Sequence, residues 1–468
     1  MAPVLLWFRN DLRLSDQAAL TAAIAAGPVI PVFVLDEDAA GEWAAGGASR
    51  WWLHHSLASL DAALRREGSA LVLRRGPAEA VLARLAAETG AETVFAGAAA
   101  EPWARAQERR VGTALDLRLA RTVSLFPPAG IATKAGDGFS VYTPFARACR
   151  ATGVAAPTAA PGRIGGPDRL PGSEVLAEWN LLPARPDWAS GLRQTWQPGE
   201  AGALARLAGF RHAALAGYDQ SRNQTGEDGT SMLSPHLHFG ELSPAQVWHA
   251  AAVAGDGNGV TTFQNELLWR EFSMHVLWHH PDLPTTPLRP AFARMEWRHD
   301  PGALRAWQRG LTGVPMVDAA MRQLWRIGWM HNRARMIVAS FLVKHLLLRW
   351  QDGQRWFWDT LTDADLANNS GNWQWVAGCG ADAAPYFRVF NPVLQGEKFD
   401  PDGAYVRRWV PELARLPARH IHAPWDAPET VLAEAGVRLG ETYPRPIVDL
   451  AAGRARALAA YRAVTGSG

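Results

Sequence analysis

Residues 1–130 alternate short apolar runs with segments of helical periodicity. Val4–Phe8, Val29–Leu35, Ala70–Leu73, Thr93–Ala96 and Thr122–Phe126 read as buried strands. Between them, Asp16–Ala26, Ser49–Arg66, Ala78–Thr89 and Trp103–Leu115 read as helices. This alternation predicts right-handed crossovers and a doubly wound parallel α/β sheet, which binds ligands beyond the carboxyl ends of its strands. No G-x-G-x-x-G or Walker loop follows any of the runs, so an ordinary dinucleotide or nucleoside-triphosphate site is not supported. From Ala151 to Gly172 Pro, Gly and Ala crowd the chain and the periodicity fades, as in a linker. Beyond about Gly199 the strand signals stop, and Thr261–His280, Val317–Gln351 and Gln354–Thr362 carry long amphipathic helical patterns. The expected organisation is an α/β domain over 1–130, an interdomain linker over 131–199 and an all-α domain over 200–468.

Composition narrows the picture. The chain has 468 residues, 48% hydrophobic and 20% charged, the mix of a globular protein with ample core. Lys+Arg 47 against Asp+Glu 45 leaves +2, so any surface for an anionic polymer must be a local patch. Two cysteines, Cys149 and Cys379, exclude a disulfide scaffold and a four-cysteine zinc or iron–sulfur site within the chain, and no metal is expected. The opening MAPVLLWFRNDLRL has no cationic leader, and the longest later apolar stretch, Met336–Leu348, is broken by Lys344 and His345. The expectation is a cytoplasmic protein with no membrane span. There are 22 Trp but only 6 Tyr. Eleven of those Trp lie between Trp269 and Trp375, which packing or chemistry could explain.

Four segments could carry chemistry. In NELLWREF, Glu266, Trp269 and Arg270 stand three and four apart and share a helical face. A carboxylate, a flat ring and a guanidinium there could grip a base, or form a plain Glu–Arg pair on an amphipathic helix. In GWMHNRARM, Asn332, Arg335 and Met336 share a face while Arg333 points elsewhere, toward a phosphate. Arg335 on the inner face requires an anionic partner, because a buried unpaired guanidinium is too costly. The run Asp363–Trp375 packs two acids, three Asn, Ser and Gly before two Trp, and reads as a ligand-binding loop or an ordinary capped one. Thr230–Ser234 offers three hydroxyls ahead of Pro235, suited to a phosphate or a plain helix cap.

Together these segments resemble the photolyase/cryptochrome family, most closely its class I cyclobutane pyrimidine dimer photolyases. WFRNDLRLSD, YDQSR, GTSMLSPHLHFG, NELLWREF, GVPMVDAAMRQL, GWMHNRARM, DADLANNSGNWQW and FNPVLQGEKFD match family motifs in family order over nearly the whole chain. The resemblance implies an antenna domain, a long linker and a helical domain that holds FAD. It implies light-driven repair of cyclobutane pyrimidine dimers in UV-damaged DNA, by electron transfer from excited reduced FAD to a flipped-out dimer. Carried over by position, the flavin contacts would be Tyr218, Thr230, Ser231, Met232, Leu233, Ser234, Phe263, Arg270, Arg335, Asp363, Ala364, Asp365 and Asn369. Phe263 stands where relatives often have Trp. Arg335 would pair with Asp363, and the neutral amide of Asn369 would face the flavin, where plant cryptochromes place Asp. Glu266, Trp269, Asn332, Met336 and Trp375 would contact the lesion, and Arg222, Arg333, Arg388, Gln395 and Lys398 the DNA backbone. Trp373, Trp350 and Trp297 match the chain that carries electrons to photoexcited oxidised flavin.

Other branches fit less well. The (6-4) photolyases carry two His where this chain has Asn332 and Met336, and the iron–sulfur branch needs more cysteines. A cryptochrome-type photosensor without repair activity is the alternative, opposed by Asn369, Glu266 and Trp269. For a second antenna chromophore, the Asn–Glu pair of folate-binding relatives is replaced by Trp103 and Ala104. Arg50 and Glu101 match positions of deazaflavin-binding relatives, with His238 in place of a Lys, so 8-hydroxy-deazaflavin is favoured over folate. A monomer is expected.

Overall fold

The computed structural model describes residues 1–383 and 388–466. Five strands, β1 (Val4–Phe8), β2 (Val29–Leu35), β3 (Val72–Arg75), β4 (Thr93–Gly97) and β5 (Asp116–Ala120), form a sheet in the order β3-β2-β1-β4-β5. Every pairing is parallel. Helices α1 (Ala18–Ala26), α2 (Gly47–Arg66), α3 (Ala78–Thr89) and α4 (Pro102–Ala114) lie between successive strands. The expected doubly wound α/β sheet is therefore observed. Its core joins Leu5, Trp7, Ile30, Val32, Val72 and Val94 to Val81, Leu82 and Leu85 of α3. Pro31 is tolerated in interior strand β2 because β2 pairs with β3 only from Val32 onward.

One strand expectation fails. Thr122–Phe126 is not a strand; the fifth strand is Asp116–Ala120, an edge strand with mostly exposed positions that hides its signal. Leu125 and Phe126 are buried, yet their N–H groups donate to Glu271 Oε2 at 2.9 and 3.3 Å instead of to a neighbouring strand.

Two compact units divide the chain. One comprises Met1–Ala216, Ser231–Pro281 and Thr362–Asn368; the other comprises Gly217–Thr230, Asp282–Leu361 and Asn369–Gly468. Among the described residues no further strand follows β5, and the rest is helical, as expected. The pattern Thr261–His280 falls on one helix, Asn258–His279. Val317–Gln351 is not: the helix Pro315–Ile327 stops at Gly328, whose left-handed φ of 64° favours glycine. A new helix, Asn332–Ser340, is started by His331, whose Nδ1 accepts the Arg333 N–H at 3.1 Å. A π-helical turn, Phe341–His345, follows, and the next helix begins at Trp350. The chain stays buried through residues 327–331 and 341–348, so no exposed polar stretch marks these breaks in the sequence pattern.

The loop reading of Asp363–Trp375 is also corrected. Leu366–Ala377 is a helix, with Asp365 Oδ1 accepting the Asn368 backbone N–H at 2.7 Å and its amide at 2.8 Å. The polar run is a capped first turn, in which the cap offsets the low helix propensity of Asn and Ser. No helix among the described residues is long and apolar enough to cross a membrane.

Candidate functional site

In the first unit the helix Asn258–His279 presents Phe263, Glu266, Trp269 and Arg270. Phe263 is buried against Phe210, with ring centroids 4.8 Å apart. Trp269 is stacked face to face on Tyr142 of helix α5 (Tyr142–Thr152), at 3.6 Å between centroids and 5° between planes. Arg270 donates to the Val123 and Leu237 carbonyls at 2.8 and 3.4 Å and pairs with Glu271 at 3.3 Å. It therefore clamps the short helix Ser234–His238 to the buried segment after β5. Burial raises the pKa of Glu271, with the Arg270 charge opposing that shift.

Ser231–Ser234 enters that short helix through Met232, which holds a left-handed φ of 50°. Ser231 Oγ accepts the Leu233 N–H at 3.3 Å, and the Ser234 side is exposed. The turn is anchored from behind by Glu241, a fully buried carboxylate that sequence reasoning missed. Its Oε1 accepts from Trp52 Nε1 at 3.0 Å, Ser56 Oγ at 2.7 Å and the Gly199 N–H at 2.7 Å. Its Oε2 pairs with His236 Nδ1. The signal available in the sequence was a Glu directly after HLHFG; nothing marked its three distant donors.

Asp363 and Ala364 are buried beside Asp365 at the head of the helix Leu366–Ala377. Glu101 feels the Asp365 charge, and burial first and that charge second raise its pKa. Burial lowers the pKa of His238, against the pull of Asp365 and Asp363. Glu101 and His238 thus share Asp365 as a neighbour. Arg50 instead pairs with Glu37, reaches the Asn180 carbonyl at 3.4 Å and feels the Arg75 charge.

In the second unit, Tyr218 is buried and lies 5.5 Å from the Arg222 guanidinium, and Thr230 is half-buried. Arg333 donates to Asn223 Oδ1 at 2.7 Å and lies 4.3 Å over the Phe399 ring, beside which Lys398 sits at 5.3 Å. Burial lowers the Arg333 pKa, and the Arg222 and Arg388 charges lower it further. His331 is buried among Arg333, Arg335 and Arg222, and burial first, then those charges, push its pKa down to about 4. With Nδ1 accepting, the neutral ring carries its proton on Nε2. Four of the expected basic residues are therefore one electrostatic cluster: Arg222, Arg333, Arg335 and Arg388. Arg335 also donates to the Met330 carbonyl at 2.8 Å. Asn332 is exposed, Met336 and Gln395 are half-buried and Lys398 is exposed.

Asn369 is buried, and its Nδ2 donates to the Gln354 carbonyl at 3.0 Å, which sets the plane of the amide. Trp373 is 2% exposed and edge-on to Phe357 at 5.1 Å and Trp307 at 6.2 Å. Gly353 makes room for it: a Cβ there would lie 2.1 Å from Trp373 Cη2. Trp350 is 1% exposed, so two of the three expected relay residues are fully buried, whereas Trp297 is half-buried. Trp375 is half-buried.

The donor set suits a flavin dinucleotide. Hydroxyls at Ser231 and Ser234 on either side of left-handed Met232 suit a diphosphate. In the first unit buried Asp363, and in the second the amide held in one plane at Asn369, are each the kind of polar group that suits the edge of a heteroaromatic ring.

Comparison with known proteins agrees. Residues 263–463 match the FAD binding domain of DNA photolyase, and residues 4–162 match the DNA photolyase family. The deoxyribodipyrimidine photo-lyase of Agrobacterium fabrum is 50% identical over 99% of this chain and 98% of its own length. Cryptochrome-1 of Arabidopsis thaliana is 38% identical over 97% of this chain and 69% of its own. The crystal structure of a bacterial class III photolyase from Agrobacterium tumefaciens superposes with a TM-score of 0.95 at 49% identity, covering 100% of this chain and 98% of that one. The motifs resemble class I, whereas this solved neighbour is class III; the family is the same. On the matched domains, the full-length relatives and the fold, this chain belongs to the photolyase/cryptochrome family.

Proposed function

We propose that the protein is a deoxyribodipyrimidine photo-lyase, a carbon–carbon lyase that uses light to repair cyclobutane pyrimidine dimers in DNA. The observation that carries this reading is the full-length 50% identity to a relative of that name. Glu266 and Trp269 on one helical face add to it. When bound, reduced FAD supplies on excitation the electron that splits the cyclobutane ring and recovers it afterwards.

The chain's own residues have other tasks. Arg222, Arg333 and Arg388 hold phosphates around an extruded lesion, with Lys398 and Gln395 beyond them. Trp269 and Trp375 stack against the lesion, Asn332 and Met336 line its pocket, and Glu266 hydrogen-bonds its bases. Tyr218, Thr230 to Ser234, Phe263, Arg270, Arg335, Asp363 to Asp365 and Asn369 hold the dinucleotide. Trp373, Trp350 and Trp297 connect the interior to solvent for reductive activation. An antenna part over 1–130, a linker over 131–199 and a catalytic part over 200–468 complete the reading. A second, light-harvesting chromophore belongs to it, and extraction with mass spectrometry identifies it; 8-hydroxy-deazaflavin remains our assignment.

A blue-light photosensor is the second reading, favoured by the 38% identity to a plant cryptochrome. Repair of thymine dimers in duplex DNA under blue light separates the two. Glu266→Gln removes one charge-assisted hydrogen bond, about 1.5–3 kcal/mol. Trp269→Ala removes one stacking platform, about 1–3 kcal/mol. Both variants should repair poorly while retaining flavin. Dimers that persist under the parent protein would leave the photosensor reading.

A further inference from the structure

The lesion-stacking role given to Trp269 leaves open what holds the indole and which of its faces a base can use. The structure answers through Tyr142, from the stretch that the sequence assigned to a linker. Phe145, one turn along α5, is 2% exposed and packs on Phe272 at 5.4 Å and His275 at 5.0 Å. The two helices are thus joined by an aromatic ladder in which Tyr142 meets Trp269 and Phe145 meets Phe272. Both pairs are three residues apart in sequence, so each side chain falls on the shared face.

Tyr142 lies flat on the indole, and its hydroxyl donates to the Asn265 carbonyl at 3.0 Å, one turn below Trp269 on the same helix. The Asn265 side chain is itself held by Arg150 Nη2 at 3.0 Å. A centroid separation of 3.6 Å is an aromatic stacking distance, so no base fits between the rings.

We infer that Tyr142 is a positioning and specificity-determining residue of the lesion site: it locks the Trp269 rotamer and closes one indole face, leaving the other face and the edge for the pyrimidine dimer. This rests on the reading of Trp269 as a lesion contact. Two consequences follow. A pre-ordered indole does not have to be immobilised on binding, which is worth a three- to tenfold effect on affinity, about 0.7–1.4 kcal/mol. A closed face also denies ordinary unstacked bases a second platform, which sharpens discrimination between damaged and undamaged DNA.

The test measures dissociation constants of the flavin-loaded protein for a duplex carrying one thymine dimer and for the same duplex undamaged. The proteins are the parent, Tyr142→Phe, Tyr142→Leu, Tyr142→Ala and Trp269→Ala. Tyr142→Ala and Tyr142→Leu should lower the damaged-to-undamaged affinity ratio three- to tenfold, with the salt dependence unchanged because phosphate contacts are untouched. Tyr142→Phe keeps the stack and should match the parent; flavin absorbance and thermal midpoints report folding. An unchanged ratio in Tyr142→Ala and Tyr142→Leu, with Trp269→Ala impaired, overturns this inference alone. A ratio as low in Tyr142→Phe as in Tyr142→Ala assigns the effect to the hydroxyl and overturns the stacking role. An unimpaired Trp269→Ala overturns the lesion-site reading and this inference with it.

Discussion

Glu241 offers a sharp test of how the phosphate-side turn is held. Its Oε1 takes three donors, from Trp52, Ser56 and Gly199, and its Oε2 takes His236, all out of contact with water. Glu241→Ala orphans four buried donors; at about 1–3 kcal/mol each, the sum is at least about 4 kcal/mol. That is a large part of a typical stability of about 5–15 kcal/mol. Glu241→Gln keeps a carbonyl oxygen for the three Oε1 donors, now as neutral bonds, and its amide N–H keeps a bond to His236 Nδ1 once that ring carries its proton on Nε2. It should cost only about 1–2 kcal/mol. Urea titration followed by far-ultraviolet circular dichroism reads the difference as two midpoints at constant slope. With a slope of about 3 kcal/mol/M, Gln should shift the midpoint by about 0.3–0.7 M and Ala by more than about 1.3 M. Because His236 lies within Ser234–His238, flavin retention should fall in the same order. Equal shifts for the two variants would refute the reasoning, because the count of orphaned donors would then not govern the cost.

Two further outcomes follow from packing and charge. Gly353→Ala places a methyl 2.1 Å from Trp373 Cη2 and 2.6 Å from Leu342 Cδ2, an overpacking worth about 1–3 kcal/mol. Its thermal midpoint should drop and flavin photoreduction should slow; an unchanged midpoint would mean that the helices Trp350–Thr360 and Leu366–Ala377 are not held at this spacing. Acidification should also destabilise the protein. His331 and His345 are pushed down to about 4 by burial, so between pH 6.5 and 4 the unfolded chain binds more protons at both, and stability rises with pH. Asp318, raised to about 6 by burial, binds its proton more tightly when folded and opposes this over pH 4 to 6. Together these three groups contribute a slope near one proton, about 1.4 kcal/mol per pH unit, and Asp318→Asn should steepen the measured profile. A flatter profile in Asp318→Asn, measured by urea midpoints at pH 4.5, 5.5 and 6.5, would contradict the assignment.

Much of the architecture was legible in the order of residues. Buried parallel strands such as Val29–Leu35 are continuous apolar runs, so four of the five strands could be located from the pattern. The helix Asn258–His279 was legible for the complementary reason: its periodicity is unbroken and it places Glu266, Trp269 and Arg270 on one face. Long motifs such as GWMHNRARM and DADLANNSGNWQW identified the family, because many unusual residues at set spacings seldom coincide.

Other features depend on contacts between distant segments. Glu241 and Tyr142 are unremarkable in the chain; their roles come from Trp52, Ser56 and Gly199 for one, and from Trp269 and Asn265 for the other. Glu101 and His238 both feel the Asp365 charge whereas Arg50 pairs with Glu37, which spacing along the chain could not foresee. Local pattern determined the elements and the family, since periodicity and motif are properties of neighbours in sequence. The tertiary structure decided the partners of each buried polar group and the available face of each ring, because hydrogen bonds and stacking depend on separations of a few ångströms between residues far apart in the chain.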